Sequence, residues 1–147
     1  MIWQLFLGTC IILATILLAA AVFWDAEVAL SRAGPWIIRK PHAPKMALVL
    51  VLAVLGVLVL FTCFVWLWAI ALIWIGVFSA LETAVYFSIV AFTTLGFGDV
   101  LLPVEWRILG GLAAANGLLN LGLLTAMLVE MLRRVRTIQT TGRPDEH

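Results

Sequence analysis

Thr93-Thr94-Leu95-Gly96-Phe97-Gly98-Asp99 is the stretch on which the reading of this chain turns. Gly96 and Gly98 can adopt positive φ, so successive peptides can point their carbonyls to one side, where an ordinary extended strand would alternate them. The product is a ladder of oxygens. The apolar segment just before it can be helical only from about Ala80 to Phe92, roughly 20 Å. A hydrocarbon core of about 30 Å is too thick for such a helix to cross, so it must enter the membrane and turn back. Ser79 followed by Glu82 has the spacing of a capping box and predicts where that helix starts.

On both sides of this stretch the chain is apolar enough for a bilayer. Hydrophobic residues make up 65% of the sequence and charged residues only 12%, far from the composition of a soluble domain. Ile2 to Trp24 carries no charge and predicts a first span; Met1 to Gln4 lack the basic residues of a signal peptide. Residues 25–45 contain Arg32, Arg39, Lys40 and Lys45 and prolines 35, 41 and 44, and read as a loop. Two readings of this loop are open, an ordinary linker or an interfacial helix anchored by Trp24 and Trp36. The uncharged run from Met46 predicts an outer helix over 46–78, with Trp66, Trp68 and Trp74 at the headgroups. Pro103 can start the last span, an inner helix over 104–134 ending in Arg133, Arg134 and Arg136, before a polar tail, 137–147. Three spans and one re-entrant segment place both basic clusters on one side, which the positive-inside rule makes cytoplasmic. The N-terminus is then outside and the C-terminus inside a plasma membrane.

A non-helical backbone at membrane depth needs shelter, because bare amides and carbonyls in lipid cost several kcal/mol each. One ladder cannot surround an ion. Four around an axis stack rings of oxygen that can replace the hydration shell of a potassium ion, which implies a tetramer; a homotetramer is the expected assembly, with a second kind of subunit left open. The expected fold is therefore an all-α membrane protein of three transmembrane helices, a re-entrant pore helix (80–92) and a filter loop (93–99), assembled with four-fold symmetry.

The segment Thr93 to Asp99 resembles the signature of the two-transmembrane potassium channel pore family, usually Thr-Val-Gly-Tyr-Gly-Asp, over roughly Met46 to Arg136, here with an additional N-terminal helix. The resemblance implies that Thr94 supplies hydroxyl and carbonyl to the innermost potassium site, that the carbonyls of Leu95, Gly96 and Phe97 line the sites above, and that Gly98 closes the outer end. Thr93, Asp99, Tyr86 and Phe87 stand as filter support. Leu95 replaces valine and Phe97 replaces tyrosine. If Phe87 faces Phe97, the cuff around the filter is apolar and the filter less tightly braced. Val90 leaves Asp99 without a buried carboxyl neighbour, and the Tyr86 hydroxyl is its expected partner. The C-terminal end of the pore helix would present negative dipole to a cation.

In the last span, Gly110, Ala113, Ala114 and Gly117 form a small-residue face for close helix approach. Gly117 matches the family's gating glycine, and two readings stand open for it, hinge or packing. Helical spacing puts Leu118, Leu121 and Thr125 on one face, which the family turns to the cavity. Asn116 and Asn120 share a different face, and helix-to-helix contact is weighed against a cavity ion site. Glu130 with Arg133 and Arg134 suits a surface ion pair, and Glu105 and Arg107 read as surface charges. Cys10 and Cys63 lie in apolar runs and read as packing. His42 and His147 read as solvated side chains. Nine basic residues nearly cancel eight acidic ones, so nothing recruits nucleic acid. No span carries regularly spaced arginines, which speaks against a voltage sensor, and no constellation supports an enzyme. The sequence thus predicts a potassium channel with potassium ions as its only cofactor. The alternatives are a weakly selective cation channel or a non-conducting membrane interaction subunit.

Overall fold

The computed structural model describes the backbone of residues 1–38 and 42–141 and the side chains of 1–35 and 44–138. Every regular element among them is helical: α1 (Ile2–Ile38), α2 (His42–Trp74), α3 (Leu81–Phe92), a 3₁₀ turn at Val104–Trp106, and α4 (Arg107–Thr141). Helices α1, α2 and α4 each carry an apolar window long enough to cross a membrane. With 12 residues, α3 does not. The chain is an all-helical, multi-pass membrane protein. Arg39, Lys40, Pro41, the side chains of Trp36 and His42, and 142–147 with His147 lie outside the described residues.

Three boundaries differ from the sequence reading. The loop expected over 25–45 is helical as far as Ile38, with Pro35 inside the helix. Tertiary contacts hold this extension: Glu27 pairs with Arg134 at 2.8 Å, and Leu30 is buried against Val135. Pro44 is tolerated because it falls in the first turn of α2, where its missing N–H has no helical partner to lose. Second, α2 stops at Trp74, short of 78. Gly76 takes φ 76°, its amide donates to the Ile73 carbonyl at 2.9 Å, and the Val77 amide donates to Leu72 at 3.0 Å. This is a Schellman cap, which closes the helix with a residue whose left-handed backbone suits glycine. Third, α4 runs on to Thr141, past the start of the expected tail.

Leu60, Phe64, Val65, Trp68 and Leu72 recur at helical spacing on α2 and are buried in the main core. Trp68 is fully buried, contrary to the headgroup position expected of it. Its ring fills the space that α2 shares with its neighbours. Trp74 is 82% exposed, and Trp24 and Trp66 are also exposed. The outward faces of the long helices remain apolar, with Leu17, Val51, Leu55 and Val59 exposed, as lipid contact requires.

Helices α1 and α4 run parallel and are joined along their length. Near one end the Gln4 side-chain amide donates to the Glu105 carbonyl. Gly8 lies so close to α4 that a Cβ there would meet the Leu112 side chain. At mid-depth Asn120 Nδ2 donates to Asn116 Oδ1 at 2.6 Å and to Thr15 Oγ1 at 3.2 Å. The Thr15 hydroxyl has one proton for two acceptors, Asn116 Oδ1 at 3.0 Å and its own helix's Ile12 carbonyl at 2.7 Å. All three polar side chains are buried. At the other end Glu27 and Glu130 both reach Arg134. Asn116 and Asn120 thus act as contacts between helices, each such bond being worth about 0.6 kcal/mol in a membrane.

Among the described glycines, the tightest site is where α4 meets the end of α3. A Cβ built on Gly117 would lie 2.3 Å from the Phe92 carbonyl oxygen and 2.5 Å from its Cα. Backbone touches backbone there, and the fully buried Phe92 ring meets Phe61 of α2 edge-on at 6.0 Å. This contact gives Gly117 a packing role. Gly117→Ala should therefore force α3 and α4 apart and destabilise the protein by about 1–3 kcal/mol. Gly111→Ala, where a Cβ meets nothing within 4 Å, should be neutral or stabilising by up to about 1 kcal/mol. Denaturant titration of the two purified variants against the parent protein measures the contrast.

Candidate functional site

Helix α3 and the loop behind it are built from local rules. The N-cap is Ala80, with no side-chain cap, so the expected Ser79–Glu82 capping box does not form. Ser79 sits one position too early for it. Glu82 still lies in the first turn, where its charge complements the positive end of the helix dipole. Ala84, Ser88 and Phe92 form the buried stripe of α3, and the Ser88 hydroxyl donates to the Ala84 carbonyl at 2.8 Å.

At its other end α3 closes in a second Schellman cap. Thr94 takes φ 57° and its amide donates to Ala91 at 3.0 Å, while the Leu95 amide donates to Val90 at 3.1 Å. Thr93 returns its hydroxyl to the Ile89 carbonyl at 2.8 Å. A left-handed backbone at a β-branched residue costs about 1–2 kcal/mol. Strain is therefore held where the helix gives way to the loop, at a residue that the sequence pattern did not single out for it. Beyond Thr94, φ is again positive at Gly96 (58°) and Gly98 (78°), and not at Leu95 or Phe97. Left-handed and ordinary residues alternate through five positions. A backbone of alternating hand can turn its carbonyls to one side. The Leu95 and Phe97 side chains are 58% and 67% exposed on the single chain.

Support for the loop differs from the expectation at one aromatic residue. Phe87 packs on Phe78, ring centroids 5.6 Å apart, and lies over Gly110, whose added Cβ would be 3.4 Å from the Phe87 ring. Within the chain it does not face Phe97. Tyr86 does meet Asp99: its hydroxyl donates to Oδ2 at 2.6 Å, and the Val100 amide donates to Oδ1 at 3.0 Å. The hydrogen bond from Tyr86 holds the Asp99 carboxyl below its ordinary value of 3.8, and the same bond raises Tyr86 above 10.0.

On α4, Gly110 and Gly117 face α3 and its loop, while Leu118 (65% exposed), Leu121 and Thr125 lie on the open side. The Thr125 hydroxyl is held by the Leu121 carbonyl at 2.8 Å. Asn116 and Asn120 occupy the side covered by α1. Sequence reasoning did not foresee Gln4, Thr15 and Glu27 as partners of α4. A lone threonine or glutamine inside an apolar span was the available signal, because polar groups at that depth usually face protein. Among the described residues no cluster of His, Cys, Asp and Glu could hold a metal ion.

These features describe a membrane protein whose short helix delivers a glycine-punctuated loop beside a long apolar helix. A family model described as an ion channel matches residues 46–134. That range covers more than half of the chain, which therefore belongs to this ion channel family. The whole of α1 precedes the match. No curated protein and no solved structure gives a match.

The Tyr86–Asp99 bond has a definite pH window. Asp99 is depressed, so the bond is complete above the ordinary aspartate value of 3.8 and is lost as pH falls through the lowered one. Tyr86 is raised, so its proton persists above pH 10.0. Removing the hydroxyl in Tyr86→Phe should let the Asp99 titration rise toward 3.8. Carboxyl-carbon NMR of protein labelled at aspartate, compared between parent and variant, reads that upward shift.

Proposed function

We propose that the chain is one subunit of a homotetrameric, potassium-selective channel that lets potassium ions move passively down their electrochemical gradient. The observation that carries this reading is the alternation of backbone hand at Thr94, Gly96 and Gly98. Four such loops around an axis would form stacked oxygen rings that replace an ion's water. Thr94 provides hydroxyl and carbonyl at the inner end, Leu95, Gly96 and Phe97 provide carbonyls above it, and Gly98 closes the outer end.

In this reading α3 is the re-entrant pore helix, and its C-terminal dipole favours a dehydrating cation in the cavity. Leu118, Leu121 and Thr125 line that cavity, consistent with their exposure on the side of α4 away from α1. The proposed channel lies in the plasma membrane. Its Met1 end lies outside with Glu105, as the parallel course of α1 and α4 suggests, and the arginine-rich end of α4 lies in the cytoplasm. Conduction does not depend on a voltage sensor.

A second reading, weak selectivity among cations, draws on Phe97. It has no hydroxyl and, among the described residues, no ring partner, so the side-chain brace near it is the Tyr86–Asp99 bond.

Reversal potentials of the purified protein in planar bilayers under opposed potassium and sodium gradients decide between the readings. Potassium selectivity predicts reversal near the potassium equilibrium potential. It also predicts loss of that selectivity in Gly96→Ala and Gly98→Ala, because a side chain at positive φ costs about 1–2 kcal/mol in each of four subunits. Reversal midway between the two equilibrium potentials would establish weak selectivity. Absence of current from protein shown to be folded would favour a non-conducting interaction subunit.

A further inference from the structure

The buried core is divided. One cluster gathers around Phe64, Trp68, Phe92 and Leu109, and a second, smaller one around Leu30 and Val135 near the inner ends of the long helices. Between them α1, α2 and α4 leave an apolar groove of about 300 Å³. Its walls are made shallow by small residues, Ala26, Ala29 and Ala33 on α1 and Gly56 on α2, and Met127 and Met131 of α4 form the back. No charged or hydrogen-bonding side chain lines it.

Gly56 is informative in its own right. Glycine in the middle of a helix costs about 1 kcal/mol relative to alanine. At Gly8 and Gly117 that cost accompanies close contact, whereas a Cβ on Gly56, like one on Gly34, Gly111 or Gly122, would meet nothing within 4 Å, and of these Gly56 is the one that lines the groove. What its missing side chain provides is open space in the groove.

We propose that this groove is a binding site for one acyl chain of a membrane phospholipid. It lies inside the apolar windows of the membrane-crossing helices, where hydrocarbon is the surrounding solvent. On α2 the lining runs from Val49 to Leu60, roughly 16 Å of helix, so the volume corresponds to a mean cross-section of roughly 20 Å². A helix with side chains, 10–12 Å across, needs about four times that section. A whole helix therefore cannot lodge within the groove, whereas a single extended hydrocarbon chain can; a helix lying across its open side is the competing occupant and would leave the groove positions unlabelled. The groove occupies the half of the span nearer Arg32, Lys45, Arg133 and Arg136, so the chain comes from the leaflet whose headgroups meet those residues. One wall belongs to α1, which lies outside the range that matches the ion channel family, so the site is a product of the added helix.

The test uses the full-length protein in vesicles of phosphatidylcholine and phosphatidylglycerol doped with a phospholipid carrying a diazirine on its acyl chain. After photolysis, labelled positions are mapped by mass spectrometry. Labels should concentrate at groove positions such as Ala26, Ala29 and Met127, above outward-facing Leu17 and Val51. Gly56→Leu, whose side chain takes up groove volume, should remove the excess of groove over outward labelling and should leave outward labelling unchanged. Ala29→Leu, which fills the groove from the opposite wall, should do the same and serves if Gly56→Leu fails to fold. Equal labelling of groove and outward positions, or groove labelling unchanged in both variants, would overturn the site. So would native mass spectrometry that finds the groove taken by a small apolar compound in place of lipid. The readout is binding and not current, so its failure is distinguishable from a failure of the channel reading.

Discussion

The contact of Gly117 with the Phe92 backbone is the constraint on which the rest of the arrangement depends. A side chain at 117 would overlap the last residue of α3. Phe92 is also the residue from which the chain enters the Schellman turn at Thr94, so whatever fixes its backbone fixes the start of the loop. The Phe61 ring presses Phe92 from the side of α2, and α3 is thereby held between the two long helices. A helix of 12 residues has little stability of its own and takes its position from such packing. The strained backbone at Thr94 persists for the same reason: its surroundings leave it no relaxed alternative.

Helix α1 extends the same logic to the far side of α4. Close approach at Gly8, the Thr15–Asn116–Asn120 cluster and the Glu27–Arg134 pair fasten one face of α4 along most of its length. The opposite face, with Leu118 and Thr125, is left open. An oligomer can therefore form on that open face without competing with α1.

Much of this was legible in the sequence, for identifiable reasons. The three long helices follow from uncharged runs, and the short one from the distance between a turn and two glycines. The Tyr86–Asp99 partnership is an expectation of the family resemblance, in which Val90 offers Asp99 no carboxyl neighbour, and the hydrogen bond is present. The separation of the asparagine face from the leucine face follows from helical spacing alone. Other features depend on contacts across the chain. Residues 25–38 look like a loop by charge and proline content, and become helical through Arg134 and Val135. Trp68 carries the same local signal as Trp66 and Trp74, and only the packing of α2 buries it. The α2 terminus is different, since Gly76 just past a helical run is a readable cap signal that hydropathy alone overrides. Thr94 adopts the backbone expected of glycine because the cap geometry demands it of whichever residue stands there.

The proposed selectivity requires that the alternating backbone from Thr94 to Gly98 turn its carbonyls onto a four-fold axis and bind dehydrated potassium there. Electron cryomicroscopy or crystallography of the assembled protein in thallium, a heavy mimic of potassium, tests it most directly. The expected result is strong density on the axis at the levels of the Thr94, Leu95, Gly96 and Phe97 carbonyls, surrounded by four chains. Four chains with an empty axis, or an assembly in which these carbonyls point away from any shared axis, would contradict it.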